Sequence, residues 1–172
     1  SYFIGVSAGQ LLYGPLLDRF GRRRPLYIGL FVYVCSSVMC AFAGSAESLI
    51  GLRLLQALGG CVGMVASQAL VRDVFPVQKT AQVFSLITLV IAVSPMIAPT
   101  LGGYVTAHLG WQWIFIVLAV ITALIGVASY FLLPAGKGPN PSLSLKPGAV
   151  MGNFFLVARH PQFMVYAVAG GL

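Results

Sequence analysis

Apolar residues run in long stretches along this chain, the third interrupted by Arg53 and Gln56, and short polar segments separate them. One stretch covers residues 1–17. Others cover 25–43, 48–71, 80–106 and 111–133, and a sixth opens near Pro161. The full stretches are close to the ~20 residues an α-helix needs to cross a bilayer. Lipid offers backbone groups no hydrogen-bond partners, so only helices and closed barrels can span it. The stretches do not alternate as barrel strands do, and they are too long for them. The pattern predicts an all-α, polytopic transmembrane helical bundle with spans at about 1–17, 25–43, 48–71, 80–106 and 111–133. Residues 134–160 are dense in Pro, Gly and Ser and break the pattern. They are expected to form a central loop, with 149–158 either plain linker or a short interfacial helix. Residues 161–172 read as the start of the next span. Both ends of the chain lie in apolar sequence, so it is expected to be a fragment.

Composition narrows the class. Of 172 residues, 59% are hydrophobic and only 8% are charged, against about 25% charged in an average soluble domain. A water-soluble globule of this make-up would expose apolar patches that aggregate. The net charge of +7 would suggest nucleic acid in a soluble protein. Here nine of the ten basic residues fall in alternate interruptions: Arg19, Arg22, Arg23 and Arg24; Arg72 and Lys79; Lys137, Lys146 and Arg159. The interruptions at 44–47 and 107–110 have none. The positive-inside rule places the basic loops in the cytoplasm. The charge is thus a topology signal, the expected partner is the lipid bilayer, and nucleic acid is not expected. Tyr104, Trp111 and Trp113 fall where an outer aromatic belt belongs.

Several chemistries have no support. Cys35, Cys40 and Cys61 lie in apolar runs without a CxxC pair and read as small buried hydrophobes. His108, in an outer loop, and His160 have no second ligand at metal spacing. No nucleophile elbow, HExxH or phosphate loop occurs. The chain is read as a non-enzyme, with no catalytic residues, metal or cofactor.

Three constellations remain. Gly14 to Leu26 is a turn between two spans: Gly14 lets backbones approach, Gly21 can take a positive φ, and Pro25 suits a first helical turn. Asp18, an acid among four arginines, is placed to pair or to cap a helix N-terminus. Arg23 and Arg24 read more simply as topology anchors. In the third stretch, Arg53 lies about 12 Å along the helix from Ser45 at 1.5 Å per residue. A charge that deep costs about 3 kcal/mol. Arg53 needs water or an acceptor, or must snorkel outward; Gln56, at i+3, shares its face. On the same helix Gly59, Gly63 and Ser67 form a small-residue stripe, read as packing. In the fourth stretch, Pro95 and Pro99 kink a helix whose Ser94, Ala98, Gly102 and Thr106 form another such stripe.

The Gly14–Leu26 turn resembles the signature between the second and third helices of the major facilitator superfamily, G-x-L-A-D-R-x-G-R-K-x-x-L. Gly14, Leu16, Asp18, Arg19, Gly21, Arg22 and Leu26 match, Arg23 replaces Lys, and Leu17 departs from Ala. Arg53 and Gln56 are similar to the R-x-x-Q-G of the fourth helix, with Ala57 for Gly. Pro99, Gly102 and Gly103 match the antiporter motif of the fifth helix, with Ser85, Ser94 and Ala98 at its earlier glycines. Gly110-Trp111-Gln112-Trp113-Ile114-Phe115 resembles G-W-R-W-x-F at the start of the sixth, with Gln112 for Arg. Arg72-Asp73 and the Pro95/Ala98-Pro99 arrangement look like the bicyclomycin and chloramphenicol resistance branch of drug–proton antiporters.

The resemblance implies that 1–133 is a partial N-terminal bundle in a bacterial inner membrane, helices two to six. It implies export of small molecules, hydrophobic or amphipathic drugs, by proton antiport with alternating access. Gly14, Asp18, Arg19, Gly21 and Arg22 would form a cytoplasmic gate that pairs across the two halves. Arg53 and Gln56 would serve proton coupling in the cavity, and Pro95, Ala98, Pro99, Gly102 and Gly103 a hinge. No carboxylate lies mid-span, so the proton carrier is expected outside this sequence. A facilitator or symporter of sugars or metabolites on the same fold stays open as an alternative, as does a non-transport scaffold.

Overall fold

The computed structural model describes residues 2–133, with Arg159, Met164 and Val165. The expected central loop and sixth span otherwise fall outside the described residues. Five helices follow one another: α1 (Tyr2–Phe20), α2 (Arg23–Ala41), α3 (Ala46–Val74), α4 (Val77–Leu109) and α5 (Gln112–Leu132). No strand occurs among the described residues. The helices extend past the apolar runs because polar residues continue their end turns. Arg72 and Asp73 close α3, Lys79 opens α4, and His108 sits in the last turn of α4 rather than in a loop.

The turns are short and chemically marked. Gly21, between α1 and α2, has φ +82°, a value only glycine adopts readily. Ser45 caps α3: its Oγ accepts from the Ser48 amide at 3.2 Å. Pro76, which has no N–H to lose, precedes α4, and Gly110 at φ +97° ends it.

Four of the helices, α2 to α5, are long and apolar enough to cross a membrane. α1, expected to be a span as well, falls short of that standard; Gln10, Asp18 and Arg19 dilute it. α3 packs between α1 and α2, and α5 packs against α2, while α4 touches α5 and α3 only sparingly. Close approach explains the α2–α3 pairing: a Cβ on Gly59 would meet the Tyr33 amide nitrogen at 2.6 Å and the Gly29 carbonyl oxygen at 2.8 Å. Gly63 and Gly14, also read as points of approach, would meet nothing within 4 Å. A first core cluster gathers Leu17, Leu26, Val62 and Ala66. A second gathers Cys40, Ala41 and Phe115. Cys40 and Cys61 are buried as expected, but Cys35 is exposed on the helix surface. Large apolar side chains such as Phe31, Leu124 and Phe131 stand exposed all round. Water would not tolerate that exterior, whereas lipid tails solvate it.

Candidate functional site

Two polar clusters interrupt this apolar bundle. The first lies at the end where the arginines gather. Asp18, in the last turn of α1, pairs with Arg22 at 2.7 Å, one helical turn on. It pairs and does not cap: α2 has no side-chain cap at its N-terminus. The same guanidinium reaches across to α3, where its Nε donates to Asp73 at 2.9 Å. Arg22 therefore joins two carboxylates from different helices. Partial burial lowers its affinity for a proton, and the bonds to Asp73 and Asp18 more than offset this, so its pKa lies above the ordinary value. Arg23, read as a topology anchor, donates to the carbonyl of Leu133 at the end of α5. It thereby satisfies a carbonyl that the helix terminus leaves open. The two arginines tie the α1–α2 turn to the ends of α3 and α5. Arg19 lies over the Phe20 ring at 5.7 Å, and Gly21 is buried at the turn.

Asp73 is the residue whose part in this cluster sequence reading missed. Like Asp18, it sits in the last turn of a helix, where the dipole repels negative charge. An acid there needs a cation, and that requirement is the signal that pointed to one.

The second cluster is inside the bundle. Arg53 donates to Gln56 Oε1 at 2.9 Å. Gln56, fully buried, passes its Nε2–H to Ser37 Oγ on α2 at 2.7 Å. The guanidinium lies over the Phe115 ring of α5 at 4.7 Å and the Tyr2 ring of α1 at 5.6 Å. An arginine presents five donors and no acceptor. Here one acceptor and two aromatic faces lie against a partly buried guanidinium. The cluster thus joins all four closely packed helices: Tyr2 from α1, Ser37 from α2, Arg53 and Gln56 from α3, and Phe115 from α5. Ser37 was not singled out from the sequence, and Phe115 only as the last position of the sixth-helix motif; tertiary placement reveals their part in this cluster.

The third constellation lies apart from both clusters. Ser94, Pro95, Ala98, Pro99 and Gly103 on α4 are exposed, and a Cβ on Gly102 or Gly103 would meet no atom within 4 Å. Among the described residues the small-residue stripe of α4 has no helix packed on it.

The sequence matches the Major Facilitator Superfamily profile over residues 1–172. The chain belongs to the major facilitator superfamily. It is a multi-pass integral membrane protein, and its helical architecture is part of the superfamily's fold. Several of its relatives are named for drug resistance. It is 30% identical to a bicyclomycin resistance protein homolog of Haemophilus influenzae over 98% of this chain and 42% of that one. It is 40% identical to a chloramphenicol resistance protein of Pseudomonas aeruginosa over 70% of this chain and 29% of that one. It is 31% identical to the multidrug resistance protein MdtL of Escherichia coli over 90% of this chain and 41% of that one. The chain spans about two fifths or less of the length of these superfamily relatives.

Proposed function

We propose that this chain is part of a proton-driven exporter of small hydrophobic or amphipathic drugs, embedded in a bacterial inner membrane with its basic turns in the cytoplasm. The observation that carries the reading is Arg53, a permanent cation held inside an apolar bundle by Gln56 and two aromatic rings. A charge kept there against a cost of about 3 kcal/mol marks a pathway for ions or substrate more often than it marks packing.

The transporter works by alternating access between two helical halves. Inward proton movement drives the drug outward; each charge crossing 100 mV contributes about 2.3 kcal/mol. Arg53 and Gln56 face the coupling pathway and respond to the charge of a carboxylate outside this sequence, because Asp18, Glu47 and Asp73 all sit in end turns. No cofactor takes part. Asp18, Arg19 and Arg22 act at the cytoplasmic gate, with Asp73 holding Arg22 in place. Pro95 and Pro99 each remove a backbone hydrogen bond from α4. They let α4 hinge, while Ala98, Gly102 and Gly103 keep its face flat for the moving half.

The test is efflux from cells expressing the full-length protein, with chloramphenicol, bicyclomycin and a cationic dye as the panel. Efflux of at least one compound should stop when an uncoupler collapses the proton gradient. Asp18→Asn and Arg53→Ala should each abolish it at normal expression. A scaffold predicts wild-type behaviour from both variants, and efflux that survives the uncoupler would leave a facilitator.

A further inference from the structure

Ser36 and Ser37 are adjacent buried serines on α2, yet their hydroxyls are used differently. Ser36 Oγ turns back on its own helix and donates to Val32 O at 2.7 Å. Ser37 Oγ faces α3 and accepts from Gln56 Nε2 at 2.7 Å. Both ends of the Gln56 amide are thereby committed, and the order matters. A guanidinium can only donate, so Gln56 is useful to Arg53 solely through its oxygen. With the oxygen facing Arg53, the NH2 group points into the α2–α3 interface. There it is fully buried and needs an acceptor. Ser37 is the side chain that supplies one.

We propose that Ser37 is a positioning residue: by accepting the Gln56 NH2 it holds the amide oxygen on Arg53, and through Gln56 it keeps the guanidinium over Phe115. Ser37 itself touches neither Arg53 nor substrate. Without its oxygen, the NH2 group is a buried donor with no partner, and the orientation that faces Arg53 is no longer held. Any rotation that takes the NH2 group to water or another acceptor carries the amide oxygen off Arg53. The inference rests on the reading of Arg53 and Gln56 as coupling residues.

The experiment uses the full-length protein, with radiolabelled chloramphenicol as the probe in inverted membrane vesicles energised by a proton gradient. Ser37→Ala removes one oxygen and leaves the helix packing in place. It should lower the maximal transport rate about tenfold with the half-saturating drug concentration unchanged. Ser37→Thr, which restores the oxygen, should recover the rate to within about twofold. In a Gln56→Ala background Ser37→Ala should do nothing further.

A second measurement needs no substrate. Thermal unfolding of Ser37→Ala, Arg53→Ala and the double variant should give non-additive shifts, because residues that do not touch are coupled through Gln56. Additive shifts, or a wild-type transport rate in Ser37→Ala while Arg53→Ala is inactive, would overturn the proposal. Failure of the wild-type protein to move chloramphenicol, or wild-type activity in Arg53→Ala, would instead strike the transport reading. The unfolding cycle would then decide the Ser37 proposal by itself.

Discussion

Arg22 and Arg53 carry the same guanidinium into opposite surroundings. Arg22 sits where the helices end, between two carboxylates, with Asp18 half exposed and Asp73 only 8% exposed. Arg53 sits inside the bundle with an amide and two aromatic rings and no carboxylate. Near water, a carboxylate partner is affordable and holds the cation by charge. In the interior a second charge would need its own desolvation, which can exceed the attraction between the two. The interior arginine is therefore stabilised by neutral acceptors and ring faces, and its protein-facing charge stays uncompensated. Arg22 closes a local circuit, whereas Arg53 remains able to respond to another charge.

The widest separation between the two sites should come from Arg22→Ala. It strands Asp73 in a largely buried position and should lower stability by about 3 kcal/mol. Thermal unfolding in detergent measures it, and the variant should also lose the wild-type protein's sensitivity to ~1 M salt, which screens the end cluster. Unchanged melting would mean that water already satisfies Asp73. Exchanging each arginine for lysine sharpens the contrast. Arg53→Lys loses the flat guanidinium that lies on Phe115 and bonds Gln56, and efflux should fall about tenfold. Arg22→Lys, beside two carboxylates, should retain most activity; equal losses at both sites would erase the distinction. Phe115→Leu should lower stability by about 1 kcal/mol through the lost ring face, beyond the core packing it gives up, and that part of the loss should vanish in an Arg53→Ala background. Asp18→Asn should be the mildest in unfolding assays, below about 0.5 kcal/mol, since this carboxylate is exposed. A larger shift would make Asp18 a structural residue first.

Features with a local cause were readable from the chain. Helices followed from the apolar runs, the left-handed turn from Gly21, and the Arg53–Gln56 contact from i, i+3 spacing. The pairing of Asp18 with Arg22 is local in the same way. What could not be read spans distance in sequence: Arg22 to Asp73, Gln56 to Ser37, Arg23 to the end of α5. Each depends on which faces of α2, α3 and α5 meet, and lipid-exposed and protein-facing positions are equally apolar in such helices. The same ambiguity explains Gly59 and Gly63. They share one stripe, yet only Gly59 meets a neighbouring backbone. It also explains α1, whose apolar start concealed how far its polar end turn would extend.

The length of α4 carries one more consequence. Lys79 and His108 bracket its apolar stretch, in its first and last turns. At 1.5 Å per residue they are about 44 Å apart, close to the full thickness of a bilayer with its headgroups. Standing upright, α4 rests both side chains among headgroups of opposite leaflets. A thinner bilayer must tilt it, at a fraction of a kcal/mol per Å of mismatch, and the tilt would carry Pro95 and Pro99 with it. Lipid thickness is thus a variable to which this helix is geometrically sensitive.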